Sequence, residues 1–341
     1  MLIRLVTPQD LGPLVDLARL AGAGLTTLPA DDELLSRRID ASRRGCSPLL
    51  VMIDNAGALI GTGGLCTRVG NQQAAEPFYA YNRQATIHRS EELAVHTRVE
   101  ALHLVADYDG PAEVGTLFVH PDHRGGGKGK MLSRSRFLYL AEHRQAFAPQ
   151  VIAEIRGVVD DRGRSPFWDA LGQHFFRVDY AVADTRSARD KRFIAELMPR
   201  HPIYVPLLSE AAQAVIGVPH PEAVPALRSL EKEGMYPTRM VDIFDAGPVL
   251  QCDRDALRTV QNQQSAKVAA VDSVDDIDSI EAMVAAVEGG FFATVSRVKP
   301  AGDGLNLDYE TISKLGVSVG ERVRWVPARV PAWLPPESSY V

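Results

Sequence analysis

Short apolar runs set between polar turns dominate the start of the chain. MLIRLV and LLVMID have strand length and composition, and ALIGTGGLCTRVG follows the second of them after the turn signal Asn55-Ala56-Gly57. Between the two strands, PQDLGPLVDLARLAG has its leucines at helical spacing and carries Pro8 near its start, which predicts a helix. LLSRRIDASRRG predicts a second helix.

The middle of the chain continues this alternation. ATIHRS, ALHLVADYDG and EVGTLFVH are predicted strands, followed by the helix MLSRSRFLYLAEHRQAF and the strand VIAEIRGVV. In that helix the apolar residues share one face, so we expect Arg134 and Arg136 on a solvated face. SPFWDALGQHFF predicts a short helix with Ser165 as N-cap and Pro166 at its first position. This order predicts an α/β domain with a mixed sheet flanked by helices.

The rest of the chain divides into two further parts. KRFIAELMPRHPIYVPLL and SEAAQAVIGV are predicted to be helical or mixed, VPALRSLEKEGMY to be a helix that ends at Gly234, and MVDIFDAGPVLQCD to be strand. The polar stretch NQQSAKVAAVDSVDDIDSI is predicted to be a linker or a surface helix, and FFATVSRVKP and VSVGERVRWVPARV to be strands. We therefore predict a first domain at 1–182, a second, completing segment at 183–262, and a small β-rich module at 263–341.

Composition excludes several classes of protein. With 341 residues, 45% apolar, 23% charged and a net charge of −6, the chain fits a soluble globular protein and lacks the basic surface that nucleic-acid binding needs. No apolar run approaches the roughly 20 residues of a membrane span, and MLIRLVTPQDL does not have the shape of a signal peptide. Cys46, Cys66 and Cys252 are too scattered for a disulfide framework or a zinc site, so we expect free thiols, a cytoplasmic location and no metal.

The glycine-rich stretch at 124–130, RGGGKGK, lies between a predicted strand and a predicted helix. Such a loop suits a phosphate, because glycines let backbone N–H groups approach it and the helix N-terminus adds positive charge. A Walker A loop fails, since Met131 follows Gly129-Lys130, and a Rossmann fingerprint that starts at Gly125 would need glycine at Lys130. The pattern R-x-x-G-x-G fits in full at Arg124, Gly127 and Gly129.

That pattern resembles the pyrophosphate loop of the GNAT acyltransferases, which bind acyl-CoA. The resemblance implies that the loop amides hold the CoA pyrophosphate and that the preceding strand splays open to seat the pantetheine arm. The loop residues are Arg124, Gly125, Gly126, Gly127, Lys128, Gly129 and Lys130, and the strand residues are Leu117, Phe118 and Val119.

A more specific resemblance spans about residues 1 to 250. The chain resembles the arginine N-succinyltransferase family in seven segments that keep the family's order and spacing: GLTTLP, PFYAYN, RSRFLYLAEHR, VIAEIRGVVDDRGRSPFWDALGQHFF, FIAELMPRHPIYVPLL, AVIGVPHP and DIFDAGP. Segments 83–99 and 106–115 depart from the family's usual wording, and the stretch beyond about 260 matches poorly. This implies a GNAT-like fold with a second GNAT-like half.

The resemblance also implies a reaction. Family members transfer succinyl from succinyl-CoA to the α-amine of L-arginine by direct attack, as the first step of arginine catabolism, without a tightly bound cofactor. Some act on ornithine, and some work as a pair of related subunits, so we expect either a homo-oligomer or such a pair. The alternatives are transfer to ornithine or another amine, and a non-catalytic partner subunit that binds acyl-CoA or arginine.

The reaction needs a neutral amine, donors for the oxyanion and a proton for the CoA thiolate. The tyrosine that many GNAT enzymes use as the acid is replaced by Trp168, whose indole cannot supply a proton. The resemblance assigns the proton donor to His220 in IGVPHP. The competing interpretation of His220 is a capping or packed histidine between Pro219 and Pro221.

Five acidic or basic residues are candidates for the remaining roles. Glu113 is the candidate base, with an exposed strand-edge glutamate as the competing interpretation. Glu154 and Arg156 alternate in IAEIRG, and Arg156 would bind a carboxylate of the succinyl group or of the amino acid, unless it forms a structural ion pair. Asp242, with Asp245, is a candidate to bind the acceptor's guanidinium, and both also fit turn acids ahead of Gly247.

Overall fold

The computed structural model describes residues 1–22, 25, 27–70, 78–106, 110–272, 274 and 277–328. Its strands are β1 (Leu2–Leu5), β2 (Leu49–Ile53), β3 (Leu59–Cys66), β4 (Ala80–Ser90), β5 (Val95–Val105), β6 (Ala112–Val119), β7 (Gln150–Glu154), β8 (Ile203–Tyr204), β9 (Tyr236–Val241), β10 (Pro248–Asp253), β11 (Gln264–Val271), β12 (Ile280–Ala286), β13 (Phe292–Ala301), β14 (Gly304–Leu307) and β15 (Arg322–Pro327).

The helices of the described residues flank these strands. They are α1 (Leu11–Ala21), α2 (Asp32–Arg43), α3 (Lys128–Glu142), α4 (Pro166–Ala170), α5 (Gly172–Phe176), α6 (Tyr180–Ser187), α7 (Arg192–Leu197), α8 (Glu210–Val215), α9 (Val224–Lys232), α10 (Arg258–Asn262) and α11 (Tyr309–Leu315). No helix within the described residues has the length and apolar character needed to cross a membrane.

One continuous sheet runs through all the described strands. Its main part has the order β1-β2-β3-β6-β7-β10-β9-β4-β5-β8. Neighbours in this part are antiparallel except β6 and β7, which are parallel. Helices α1 and α2 cover one face of β2 and β3, and α3 covers the other face of the sheet. The predicted α/β class with a mixed sheet is confirmed.

Residues from the predicted second segment complete the first sheet. Strands β9 and β10 lie between β7 and β4, and β8 pairs with the outer edge of β5. The predicted second half therefore extends the same sheet, and the boundaries at 182 and 262 stay predictions. Beyond β9, the hairpin β4–β5 continues as a two-stranded ribbon whose outer half is exposed.

The β-rich character of the C-terminal region is confirmed, and its strands close into a small barrel. The order β12-β15-β11-β14-β13 returns to β12, around the buried side chains of Val268, Val284, Leu305 and Trp325. The barrel joins the main sheet where Ala293 of β13 pairs with Ile3 of β1. The tail at 329–341, including the end of VSVGERVRWVPARV, lies outside the described residues.

The prediction of a linker or surface helix at 262–280 is wrong. Residues 264–271 form β11, which pairs with β14 on one side and β15 on the other. Val268 is the only fully buried residue of this strand, so the local pattern of apolar residues was too weak to predict it. The pairing partners, which come from distant parts of the chain, supply the strand's stability.

The predicted solvated face of α3 is also wrong, because this helix is buried on all sides from Met131 to Ala141. Arg134 donates to the Ala328 carbonyl at 2.8 Å and to Thr259 Oγ1 at 3.3 Å. Arg136 is 1% exposed, and its burial lowers the pKa of the guanidinium to about 10. The apolar stripe on one face of the helix did not predict this burial. The barrel and the second segment cover the helix face that the first sheet leaves open.

Candidate active site

The parallel strands β6 and β7 separate soon after they meet. They pair only at Ala112 with Val151 and at Glu113 with Ile152. Beyond these pairs β6 stays with β3 while β7 stays with β10, so a wedge opens between the two strands. Leu117 and Arg156 each lie four residues beyond the last pair and therefore flank this wedge.

A β-bulge shapes the β6 side of the wedge. The pairing of β6 with β3 shifts by one residue between Gly115 and Phe118, and Thr116 in that interval has a φ of 52°. A β-branched residue rarely adopts this conformation, so the surrounding structure must hold it. Arg136 of α3 stabilises the bulge, since its Nη1 donates to the Gly115 carbonyl at 2.9 Å.

The glycine loop follows β6 and leads into α3. Gly125, Gly126 and Gly127 all have positive φ angles, of 94°, 58° and 78°, which only glycines adopt in succession without strain. Five backbone N–H groups of the loop and first helical turn donate to no other residue that the structure describes: those of Gly125, Gly126, Gly127, Gly129 and Lys130. Free amides at the start of a 15-residue helix form an anion cradle.

The Arg124 side chain folds back from this loop over β6. Its Nε donates to the Val119 carbonyl at 3.3 Å, and its guanidinium lies 5.8 Å from the centre of the Phe118 ring. Its Nη1 lies 3.9 Å from Oε1 of Glu222, on the turn that contains His220. Arg124 therefore connects the cradle to the wall of the wedge.

His220 lies at the start of a short 3₁₀ turn, Pro221–Ala223. Its Nδ1 accepts a hydrogen bond from the Glu222 amide at 3.2 Å, and its own amide donates to the Arg156 carbonyl at 2.8 Å. The capping interpretation thus describes Nδ1 correctly, and the ring also interacts with the Val159 backbone, which acts to raise the pKa of the imidazole. Partial burial and the positive charge of Arg156 lower the pKa of the imidazole, and Glu222 acts in the opposite direction.

Arg156 does not form the structural ion pair that the sequence left open. Its Nε is buried without a hydrogen-bond partner, and its guanidinium contacts no carboxylate within the described residues. The side chain is only partly exposed, so water compensates for the missing partner incompletely. The guanidinium of Arg156 is therefore available to bind an anionic ligand.

The carboxylates of Glu113 and Asp242 both act on that of Glu154 at the base of the wedge. Glu154 keeps an exposed side chain at the end of β7, yet the protein atoms packed around its carboxyl exclude part of the water and raise its pKa well above the usual range; the negative charges of Asp242 and Glu113 add to the rise. Burial likewise raises the pKa of Glu113, against the effect of Lys191 and Arg38. A cationic ligand would relieve this repulsion.

Glu113 is not the exposed strand-edge residue of the competing interpretation, because β3 and β7 flank β6 on both sides. Asp245 cannot hold a guanidinium: it is 4% exposed, and its carboxylate accepts from the Gly157 and Gly247 amides, each at 2.8 Å. Asp242 uses Oδ1 for the amides of Phe244 and Asp245 and keeps partial exposure.

Lys191 and Arg38 were missed from the sequence. Lys191 lies between α6 and α7, and Arg38 lies on α2, yet both bear on Glu113. The α6–α7 connection and α2 are linked at the surface by an ion pair between Arg189 and Asp31, the N-cap of α2. No local pattern marks such residues, because the fold alone brings them to β6. Gly24, Thr26 and Pro77 of the GLTTLP and PFYAYN segments lie outside the described residues.

The family model for the arginine N-succinyltransferase beta subunit matches residues 1–259. The chain belongs to the arginine N-succinyltransferase family. This membership makes it an acyltransferase, and the poorer match predicted beyond about 260 agrees with the end of the matched region.

Curated relatives and one solved structure agree with the family assignment. The chain is 43% identical to arginine N-succinyltransferase subunit beta of Pseudomonas aeruginosa over 78% of this chain and 80% of that protein. It is 39% identical to arginine N-succinyltransferase of Escherichia coli over 96% of this chain and 97% of that protein. The structure of arginine/ornithine succinyltransferase subunit AI from Pseudomonas aeruginosa superimposes with a TM-score of 0.86, 30% identity, and 96% and 99% of the two chains covered.

Proposed function

We propose that the protein transfers succinyl from succinyl-CoA to the α-amine of L-arginine, giving N2-succinylarginine and CoA. The observation that carries this proposal is the wedge between β6 and β7, which has a cradle of free amides at its mouth and three interacting carboxylates at its base. The cradle suits the CoA pyrophosphate, and the carboxylates suit a cationic amino acid. In this role the protein would begin arginine catabolism by the succinyltransferase route.

In the proposed mechanism the amine attacks the thioester directly, within a ternary complex. Glu113 removes a proton from the bound ammonium, and its raised pKa brings it closer to neutral pH, where a general base is most effective. Glu154 and Asp242 hold the guanidinium of the acceptor. Backbone N–H groups of β6 beside the Thr116 bulge stabilise the oxyanion.

His220 completes the reaction at the sulfur. Because Nδ1 accepts from the Glu222 amide, the neutral ring carries its proton on Nε2, which exchanges its Val159 backbone partner for the departing CoA thiolate. Full proton delivery needs the imidazolium, in which Nδ1 is protonated and releases the Glu222 amide. The attacking nitrogen loses two protons in all: the first goes to Glu113, and the second balances the proton that His220 gives to the sulfur. Leu117, Phe118 and Val119 line the pantetheine path, and the loop from Arg124 to Lys130 holds the pyrophosphate.

The test is thiol release from succinyl-CoA or acetyl-CoA mixed with arginine or ornithine, with a reaction lacking acceptor as the control for hydrolysis. We expect the fastest release with succinyl-CoA and arginine. Preference for ornithine would revise the acceptor, which is an open point because one similar protein is named for both amino acids. No release with any pair would contradict the enzymatic function and favour a binding subunit.

The protein's assembly belongs to the same proposal, as a homo-oligomer or a pair with a related subunit. The exposed outer half of the β4–β5 ribbon supports it, with Ile87 at 64% and Leu93 at 72% exposure. A two-stranded ribbon is only marginally stable on its own in water. For a homo-oligomer, light scattering on the purified chain should give a molar mass above the monomer mass of 37.2 kDa. For a pair of related subunits, the mass should rise above this value only after the second subunit is added. The predicted cytoplasmic location fits Cys46, Cys66 and Cys252, which form no disulfide within the described part of the chain.

A further inference from the structure

Arg156 combines a fixed backbone with an uncommitted side chain. Its carbonyl accepts from the His220 amide at 2.8 Å, and Gly157 pairs with Pro219 in an isolated bridge. The Gly157 amide donates to Asp245 at 2.8 Å, and a Cβ at Gly157 would lie 2.4 Å from the Asp245 carbonyl oxygen. The backbone on the C-terminal side of Arg156 is therefore locked, while the guanidinium has no protein partner within the described residues.

The position of Arg156 points to the acyl end of the donor. It lies four residues beyond the last β6–β7 pair, level with Leu117 on the opposite strand and next to His220, the proposed acid. The second accessible cation of the site, Lys191, faces the carboxylates of Glu113 and Glu154, which offset its charge. Of these two cations, Arg156 is thus the one that no carboxylate of the described residues neutralises, and it lies beside the path of the acyl group.

Succinyl differs from a simple acyl group by the carboxylate at its far end. A guanidinium binds a carboxylate through two parallel N–H···O bonds, and such pairs are strong where water is partly excluded. Without this ligand the buried Nε of Arg156 stays unsatisfied, which disfavours an acyl chain that ends in a methyl group.

We propose that Arg156 binds the terminal carboxylate of a dicarboxylic acyl-CoA and so selects succinyl-CoA over donors that lack this group. The proposal rests on the proposed function for the identity of the donor. It makes Arg156 a specificity-determining residue, distinct from the loop that recognises CoA itself.

The experiment compares wild type with Arg156→Gln, using succinyl-CoA and butyryl-CoA as donors and arginine and agmatine as acceptors. Butyryl-CoA has the same chain length with a methyl in place of the carboxylate, and agmatine is arginine without its carboxylate. Arg164→Gln is the matched control, because Arg164 is an exposed arginine paired with Asp160 on the same connecting segment. Circular dichroism verifies that each variant is folded.

We expect Arg156→Gln to lower kcat/KM for succinyl-CoA by about 100-fold or more with either acceptor, the size of a lost buried charge pair. With butyryl-CoA the variant should equal or exceed wild type, and Arg164→Gln should match wild type throughout. An equal loss with both donors would overturn the proposal, and so would a loss that disappears with agmatine, which would assign Arg156 to the acceptor's carboxylate.

A binding measurement separates this proposal from the proposed function. If wild type transfers no succinyl to any amine, the proposed function fails, yet calorimetry still measures the affinities for succinyl-CoA and butyryl-CoA. A preference for succinyl-CoA in wild type that is lost in Arg156→Gln would support the role of Arg156. Equal affinities in wild type would refute it.

Discussion

At the scale of single residues, Thr116 has the most constrained backbone near the site. Its φ of 52° costs about 1–3 kcal/mol for a β-branched residue, and the fold retains it. Two neighbours make this possible: Arg136 holds the carbonyl of Gly115, and Gly64 leaves room for the Thr116 side chain. The bulge therefore depends on a missing Cβ on the adjacent strand.

Gly64→Ala should disturb this arrangement. Its Cβ would lie 2.5 Å from Thr116 Oγ1 and 2.9 Å from Arg38 Nη2, so we expect a loss of about 1–3 kcal/mol in the free energy of unfolding and a lower kcat. Urea denaturation and initial rates measure the two effects. Gly12→Ala in α1 is the control, because no atom lies within 4 Å of its added Cβ. An unchanged kcat in folded Gly64→Ala would mean that the bulge geometry does not matter for transfer.

His220→Asn separates the capping role of the histidine from its chemical role. Asparagine also caps helix N-termini, so the turn at Pro221–Ala223 should persist. Since asparagine cannot transfer the proton, we expect kcat to fall about 100-fold, with little change in KM for either substrate. Steady-state kinetics provides the measurement. Full turnover in this variant would reduce His220 to a capping residue.

The raised pKa of Glu113 predicts a shifted pH dependence. The base works as a carboxylate, so kcat/KM should be high above its pKa and fall as the pH drops through it, at a pH above the usual glutamate value of about 4.3. Glu113→Gln should remove this acidic limb and lower the plateau. Glu154→Gln, by contrast, should mainly raise KM for arginine. An unchanged limb in Glu113→Gln would assign the titration to another group.

At the scale of elements, the loop before α3 works through its backbone. Its three consecutive glycines have positive φ, their N–H groups donate to no other described residue, and the helix N-terminus adds its partial charge. Lys128 and Lys130 add positive charge to this loop, but the glycines determine its backbone geometry.

Gly127→Val should weaken acyl-CoA binding by about 10- to 100-fold, because valine disfavours the φ of 78° and its side chain obstructs the approach to the amides. KM for succinyl-CoA and direct CoA titration are the readouts. Gly163→Val is the matched control: Gly163 has a φ of 73° in a surface turn with nothing near its Cβ. If the two variants bind CoA equally well, the pyrophosphate does not use this loop.

At the scale of the whole molecule, the sequence predicted the features that short segments specify. The strand, glycine loop and helix around Arg124 were predicted because φ preference and helix starts are local properties. The burial of Arg136, the approach of Lys191 to Glu113 and the pairing of β11 were not, since each depends on residues from distant parts of the chain. Short segments of sequence thus specify the glycine loop of the site, whereas the surroundings of Glu113 and Arg136 depend on the complete fold.

The way the barrel joins β1 has a consequence for self-association. Because β13 pairs with β1 and the barrel closes on itself, the described sheet offers no free strand edge at its barrel end. The outer part of the β4–β5 hairpin, by contrast, leaves both of its edges unpaired, since β9 and β8 each cover only two residues at its base. Open sheet edges are where separate molecules add strands to one another. The C-terminal barrel therefore prevents growth of the sheet from the β1 side and leaves the β4–β5 hairpin as the end at which a second molecule could pair.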